Sequence, residues 1–217
     1  MSRTSTIFQK SIRSVDSARV LKPGGNNGKL GRIVSKGRWK GKRMYSVTLV
    51  ERETCPRSCH HWDDCYGNNM PFAHRFALEG LEDKIEKELD ELCTKYKKGI
   101  VVRLHVLGDF YSVPYVLFWE RMLLKYDNLS IFGYTAREQG TKIGNAIFIM
   151  NLRYPDRCVI RSSRNKKYNG LGEFSYAADE SFEGESFDCP EQTGKANSCA
   201  DCALCWQTTK TVRFATH

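Results

Sequence analysis

Residues 43–161 alternate between strand-like and helix-like segments, and this alternation constrains the fold more than any other feature. The strand-like segments, rich in β-branched and apolar residues, are 43–50, 100–107, 129–135 and 158–161. The segments with apolar residues at helical spacing are 71–98, 112–126 and 141–152. Strands that alternate with helices usually lie parallel in one sheet, with each helix forming a right-handed crossover between two strands. We therefore expect an α/β fold, a partial or open (βα) barrel-like parallel sheet covered by helices, with functional groups at the carboxyl ends of its strands.

Positive charge is concentrated at the N-terminus. Residues 1–43 hold twelve Lys or Arg and one acid, a net +11, whereas the rest of the chain has a net charge of −2. The segment is rich in Gly and Ser, which predicts a flexible basic arm that buries little apolar surface. Such an arm can bind nucleic acid through its phosphates, with Trp39 stacking on a base between Arg38 and Lys40. A solvated surface extension explains the same charge.

We predict three parts: the basic arm at 1–43, the α/β domain at 44–188 and a cysteine-rich C-terminal metal-binding extension at 189–217. No apolar run approaches the roughly 20 residues that span a bilayer, and the N-terminus lacks a hydrophobic signal segment. We expect a cytoplasmic protein with no membrane partner. A chain of 217 residues can bury a core without disulfides, so its nine clustered cysteines favour metal binding or redox chemistry in that reducing compartment.

The first cysteine group, Cys55, Cys59 and Cys65, follows the first predicted strand with gaps of three and five residues. At the mouth of a parallel sheet three thiolates can converge on one metal centre and leave a coordination position open. An open position permits chemistry. Short Cys and His spacing also suits a zinc site completed by His60 or His61, so both interpretations stand.

The second cysteine group combines a C-x2-C-x2-C run with a cysteine ten residues upstream. Its members are Cys189, Cys199, Cys202 and Cys205. Four thiolates can close a site completely, as in ferredoxin-type iron–sulfur ligation, which we favour, or in a structural zinc site. Cys93 and Cys158 lie in a predicted helix and strand, where we expect them to pack in the core.

The predicted strand at 100–107 carries two candidate catalytic residues. Alternation places Arg103 and His105 on one face, which suggests a polar interior that holds a ligand. An ion-paired arginine and a hydrogen-bonded interior histidine would explain them without catalysis. Gly108 and Asp109 follow at the strand end, where the backbone can approach a ligand and a carboxylate can accept from an ammonium group.

The cysteine loop and the Gly-Asp pair resemble the radical S-adenosylmethionine enzymes. In that superfamily the cluster-binding cysteines occupy the loop after the first strand of a partial (βα) barrel, and a Gly-Gly-Glu-type motif ends the second strand. The usual cysteine gaps are three and two residues, so the second gap is longer here. The resemblance implies that Cys55, Cys59 and Cys65 ligate a [4Fe–4S] cluster whose fourth iron binds S-adenosylmethionine.

The same resemblance implies a role for the end of the second strand, where Gly108 and Asp109 would hold the amino group of S-adenosylmethionine. Thr135, Arg161 and Ser162 lie at the ends of the next two predicted strands, and from that position alone we expect them to bind its carboxylate or ribose. A flavodoxin- or ferredoxin-type reductant would supply the electron that generates a 5′-deoxyadenosyl radical. The C-terminal cysteines would then hold a second, auxiliary [4Fe–4S] cluster.

A closer resemblance is to the phage-encoded gene product eighty-eight family. The matching core begins at Arg103 and His105 and continues through Gly-Asp-Phe-Tyr-Ser at 108–112, with Tyr134 and Thr135 in the following strand. The likeness covers residues 45–217 and leaves the basic arm outside. It implies a phage-encoded protein that acts in the host cytoplasm.

Two functions follow. The favoured one is a radical-SAM-like iron–sulfur enzyme that acts on nucleic acid or a phosphorylated substrate. The alternative is a non-catalytic nucleic-acid-binding protein in which zinc sites stabilise the fold and the basic arm supplies affinity.

Overall fold

A computed structural model describes residues 4–163, 174–177 and 185–214. The helices are α1 (Leu81–Lys95), α2 (Val113–Lys125), α3 (Lys142–Arg153) and the short α4 (Cys199–Cys202). The strands are β1 (Ile12–Arg13), β2 (Lys22–Pro23), β3 (Arg43–Ser46), β4 (Arg75–Phe76), β5 (Ile100–Leu104), β6 (Leu129–Thr135), β7 (Cys158–Ser163), β8 (Phe174–Ala177), β9 (Ser186–Asp188) and β10 (Thr211–Phe214). The first three residues of the predicted arm and the last three of the predicted extension lie outside the described residues. None of the helices in the described part of the chain is long and apolar enough to cross a bilayer.

Eight strands form one sheet in the order β2-β3-β5-β6-β7-β8-β10-β9. β2 is antiparallel to β3, and the other pairs are parallel. Because α1, α2 and α3 link β3, β5, β6 and β7 in chain order, the sheet winds in one direction, as a (βα) barrel does. β2 and β9 remain separate edges in the described residues, so no closed barrel forms there. The expectation of a mixed α/β fold with parallel strands is confirmed.

The helices form where apolar periodicity and capping agree. Leu81, Ile85 and Leu89 are buried at four-residue spacing along α1. The predicted helix at 71–98 begins ten residues too early, because residues 71–80 form turns and β4. α2 begins at the predicted place, where the Ser112 hydroxyl accepts from the Tyr115 amide at 3.2 Å.

The sheet separates two apolar cores. The helices pack on one face against strand residues such as Val102 and Leu104. The opposite face is covered by the N-terminal segment and the cysteine-rich C-terminal segment, which meet where Trp39 stacks on Trp206 with ring centroids 5.0 Å apart. The face expected to be a polar interior is therefore largely filled by the two ends of the chain.

The description of residues 1–43 as a flexible arm is corrected by this packing. Val20, Leu21, Leu30, Val34 and Trp39 are buried, so Trp39 has no face free to stack on a base. The amides of Val20 and Leu21 also donate to the buried Glu88 carboxylate, at 2.9 and 2.7 Å. Isolated apolar residues between cations produce no periodic pattern, which is why sequence reasoning missed this burial.

Candidate functional site

The first cysteine group lies in the long loop between β3 and α1, beside the carboxyl ends of β5 and β6. Cys55, Cys59 and Cys65 are half-buried free thiols. Burial, together with the nearby charges of Asp109, Cys59 and Cys65, raises the pKa of the Cys55 thiol to about 12. Burial likewise raises the pKa of Cys59, on which Asp109 and Cys65 also act. The structure thus brings the three thiols into one electrostatic neighbourhood.

The loop backbone offsets part of this burial effect. Hydrogen bonding to the backbone of Arg52, His61 and Gly67 acts to lower the pKa of Cys55, Cys59 and Cys65 respectively, but burial outweighs it and the pKa of each thiol is raised. Amide hydrogen bonds to sulfur stabilise the thiolate form that ligates metals, and they tune the potential of iron–sulfur clusters. Without a metal the three thiols therefore stay protonated, and the backbone offsets only part of the burial that disfavours the thiolate form.

The side chains as they lie do not form a finished metal centre. In the ranges that the structure describes, no three His, Cys, Asp or Glu side chains are placed to hold one metal ion. Of the two histidines considered as ligands, His61 has its Nδ1 atom 3.3 Å from the Asp64 carboxylate, and His60 packs edge-on against the His61 ring. The donor types fit a thiolate-ligated group, whereas neither histidine completes a ligand set.

Gly108, Asp109 and Thr135, predicted to bind a cofactor, come together at the ends of β5 and β6. Asp109 Oδ1 accepts from the Phe110 amide and from Thr135 Oγ1, both at 2.7 Å, and Oδ2 accepts from the Ala136 amide at 2.8 Å. Burial raises the pKa of Asp109 to about 6 despite these bonds. With both carboxylate oxygens engaged, Asp109 joins two strand ends.

Gly108, which follows β5, lies close against the start of the cysteine loop. Its φ is +84°, and a Cβ there would lie 2.6 Å from Thr54 Oγ1 and 2.7 Å from Leu49 Cβ. The same Thr54 hydroxyl accepts from the Asp109 amide at 3.2 Å. The Gly-Asp pair therefore fixes the residue directly before Cys55.

Two arginines that sequence reasoning missed hold the same loop. Arg137 donates to the carbonyls of Phe110 and Thr54, both at 2.7 Å. The buried Arg52 donates to the Trp62 carbonyl at 3.0 Å and to Asn68 Oδ1 at 2.9 Å. No motif distinguishes either residue from the many surface arginines, so only the fold reveals their role.

Arg103 and His105 do not share a face, which corrects the strand prediction. β5 ends at Leu104, so alternation does not extend to His105. Arg103 lies over the Tyr134 ring at 4.8 Å, on the side of the C-terminal segment, and its Nε atom has no hydrogen-bond partner among the described residues.

His105 instead belongs to the helix side of the sheet. Its Nε2 atom is 3.1 Å from the Tyr115 hydroxyl, and its ring packs edge-on against Phe110. Burial and the charge of Arg103 lower the pKa of His105 to about 3. His105 is therefore a neutral interior imidazole hydrogen-bonded to a tyrosine, which matches the non-catalytic alternative given for it in the sequence analysis.

Arg161 and Ser162 lie on β7. Arg161 Nε donates to the Cys205 carbonyl at 2.8 Å, and its Nη atoms donate to the carbonyls of Thr208 and Lys210 at 2.7 and 3.0 Å. Arg161 therefore holds the C-terminal segment in place. Ser162 is opposite Thr135 in the strand register, so it shares the sheet edge with the Asp109 network.

The second cysteine group lies in the core beneath the sheet. Cys189, Cys199, Cys202 and Cys205 are all buried, and none is more than 8% exposed. Cys189 acts electrostatically on each of the other three, which places the four thiols near one another.

Hydrogen bonds and cations surround these buried sulfurs. The Tyr134 hydroxyl donates to Cys205 Sγ at 3.0 Å, and the Leu204 amide hydrogen-bonds to Cys202. Burial raises the pKa of Cys205, while the charges of Arg161 and Arg103 lower it. Four buried thiols, a tyrosine hydroxyl and two arginine charges therefore share this part of the core, but the sulfurs as they lie are not placed to hold one metal ion.

The other two cysteines, Cys93 and Cys158, are buried in the helix-side core, so their prediction as packing residues is confirmed.

The fold and these groups define a mixed α/β protein with an open, mainly parallel sheet and two clusters of cysteines, one at the strand ends and one in the core. The chain is similar to the "Gene 88 protein" of Mycobacterium phage D29, with 27% identity over 172 residues that cover 72% of this chain and 70% of the phage protein. No family model matches the chain. No solved structure matches it either. The comparison supports, at low identity, the resemblance to the phage gene product. It gives no support to the resemblance to radical S-adenosylmethionine enzymes.

Proposed function

We propose that the protein is a radical-SAM-like iron–sulfur enzyme whose reactive [4Fe–4S] cluster is held by Cys55, Cys59 and Cys65. The observation that carries this proposal is the placement of three half-buried cysteines in one loop, which Thr54 and Arg137 tie to the ends of the parallel strands. The loop occupies the carboxyl ends of parallel strands, where α/β folds place their active sites. Three loop thiols would leave one cluster iron for S-adenosylmethionine.

A reduced cluster held by Cys55, Cys59 and Cys65 would supply one electron for cleavage of S-adenosylmethionine into methionine and a 5′-deoxyadenosyl radical, and the radical would take a hydrogen atom from the substrate to give 5′-deoxyadenosine. The electron would come from a flavodoxin- or ferredoxin-type reductant in the cytoplasm. The chain itself orients and shields the reactants. Gly108 and Asp109 set the position of the loop through Thr54, so we assign them a positioning role.

Arg103 is the residue best placed to bind an anionic group of the cofactor or substrate. Its charge acts on Tyr66, directly after Cys65, and also on Cys199 and Cys205. Its guanidinium lies over the Phe132 and Tyr134 rings, and its Nε atom lacks a partner in the described residues. A guanidinium in such surroundings favours a carboxylate or phosphate.

The four core cysteines would hold an auxiliary cluster. Thiolates buried in the core need nearby positive charge, which Arg103 and Arg161 provide. Cluster binding would also add to the stability of the C-terminal segment, because the ligands come from 189–205.

Anaerobic purification with iron, sulfide and zinc analysis tests the proposal. Cys59→Ala and Cys202→Ala should each lower the iron content by about half, whereas the matched core variant Cys93→Ala should retain it. With dithionite and S-adenosylmethionine, the unaltered protein should release 5′-deoxyadenosine and Cys59→Ala should not. A colourless protein with about two zinc ions per chain would refute the enzyme proposal.

A non-catalytic, zinc-stabilised nucleic-acid-binding protein is the second candidate. The Asp109 carboxylate favours it, because its three internal hydrogen bonds leave no free oxygen directed to a cofactor amino group. Four buried cysteines close together in sequence also suit zinc, whose structural sites take four protein ligands. About two zinc ions per chain, one lost in Cys59→Ala and the other in Cys202→Ala, with no 5′-deoxyadenosine, is the result expected from this candidate.

A further inference from the structure

A groove of about 580 Å³ lies between the N-terminal segment and the end of the cysteine loop. One wall is formed by residues 7–13 and the other by residues 71–74. β1 and β4, which pair in parallel, join the two walls. The volume is within the range of small-ligand sites.

The groove is cationic. Lys10 and Arg13 line it together with His74, and none of the described residues that line it is acidic. Partial burial and the charges of Lys22 and Arg13 lower the pKa of His74, in keeping with a positive potential there. An anionic partner is favoured on charge alone.

The groove also presents an exposed aromatic ring. Phe72 lines it with 92% of its surface accessible, the most exposed of the large hydrophobic residues in the described chain. Pro71 precedes Phe72 in the same wall. A phenylalanine in water beside cations suits the stacking of an unpaired base, which every base can provide through its π-face.

Arg75 connects the groove to the cysteine loop. Its Nη1 atom donates to the Ser11 hydroxyl at 2.9 Å and its Nη2 atom to the Gly67 carbonyl at 2.9 Å. Its Nε atom pairs with the buried Glu51 carboxylate at 2.6 Å. The wall of the groove at Ser11 is therefore joined through Arg75 to Gly67, two residues after Cys65.

We infer that this groove binds single-stranded nucleic acid, with Phe72 stacking on a base and Lys10 and Arg13 neutralising phosphates. Duplex fits poorly, because its bases are already stacked and paired and are not available to Phe72. The site is distinct from the buried Trp39 region and does not depend on the proposed cluster chemistry.

Fluorescence anisotropy of the full chain with a labelled oligothymidylate of about 12 nucleotides tests this inference. Phe72→Ala should weaken binding at least about fivefold, since each stacked base contributes strongly. Lys10→Gln/Arg13→Gln should reduce the slope of log affinity against log salt by about 1.4, for two phosphate contacts on a single strand. Arg32→Gln/Lys40→Gln removes the same charge from exposed positions elsewhere in the N-terminal segment and is the matched control.

Unchanged binding by Phe72→Ala would overturn the inference, as would equal effects of the two double variants or equal affinity for a duplex of the same length. All of these positions are exposed or half-buried, so the variants should fold, and circular dichroism would verify this. Binding is measured with and without metal. Its outcome therefore remains separate from that of the proposed enzymatic activity.

Discussion

Gly108→Ala tests whether the chain that follows β5 approaches the cysteine loop closely at Gly108. A non-glycine residue at a φ of +84° costs about 1–2 kcal/mol. The new Cβ would also lie 2.6 Å from Thr54 Oγ1 and 2.7 Å from Leu49 Cβ, so the loop must shift. Overpacking of this kind costs about 1–3 kcal/mol. We expect Gly108→Ala to lower the free energy of unfolding by about 2–5 kcal/mol in total.

Gly140→Ala is the matched control, because Gly140 has a φ of +90° and nothing within 4 Å of an added Cβ. It should lower the free energy of unfolding by only about 1–2 kcal/mol. Urea denaturation of both variants, followed by circular dichroism, measures the difference that the contact alone produces. Equal losses in the two variants would refute the close approach of Gly108 to Thr54, and with it the positioning role of the Gly-Asp pair.

Three further changes test other contacts. Arg75→Met leaves the Glu51 carboxylate buried and unpaired, and should lower the free energy of unfolding in urea by about 3–5 kcal/mol; a loss below about 1 kcal/mol would contradict the pair. The raised pKa of Asp109, about 6 against an ordinary 3.8, gives stability that is present at low pH and lost as the pH rises through about 6. The free energy of unfolding of the unaltered chain minus that of Asp109→Asn, measured in urea, should therefore decrease as the pH rises from 3.8 to about 6. A difference that stays constant over this pH range would contradict the raised pKa of Asp109. Trp39→Ala should lower the free energy of unfolding by about 3–5 kcal/mol, because Trp39 is buried and stacks on Trp206. The same substitution in a solvated arm would lower it by about 0.5 kcal/mol or less.

The parallel sheet was predictable because its signals are local. Apolar spacing and a Ser-x-Pro start predict α2, and apolar runs predict β5 and β6. Strand ends in a parallel sheet meet at one edge, so Gly108, Asp109 and Thr135 could be placed together before any coordinates. Their hydrogen bonds to one another could not, since these depend on side-chain direction at the strand ends.

Features that depend on distant contacts were not predictable. The end of β5 at Leu104 sends Arg103 and His105 to opposite sides of the sheet, and no residue in the sequence marks that end. The buried pair of Glu51 and Arg75 could not be predicted either, because nothing in the sequence distinguishes these two residues from charged residues on the surface. The thiols at 189–205 were grouped correctly by spacing, but their position in the second core follows from the packing of the N-terminal segment.

That packing also changes what the N-terminal charge means. The Cys199 amide donates to the Lys29 carbonyl at 2.7 Å, and the charge of Lys29 lowers the pKa of the Cys199 thiol. Lys36 acts in the same direction on Cys202. Part of the cationic segment therefore compensates buried sulfur, which becomes anionic when it ligates a metal. Net charge alone therefore does not indicate a nucleic-acid partner, whereas Lys10 and Arg13 line one groove together with the exposed ring of Phe72 and so offer both charge and stacking to a single strand.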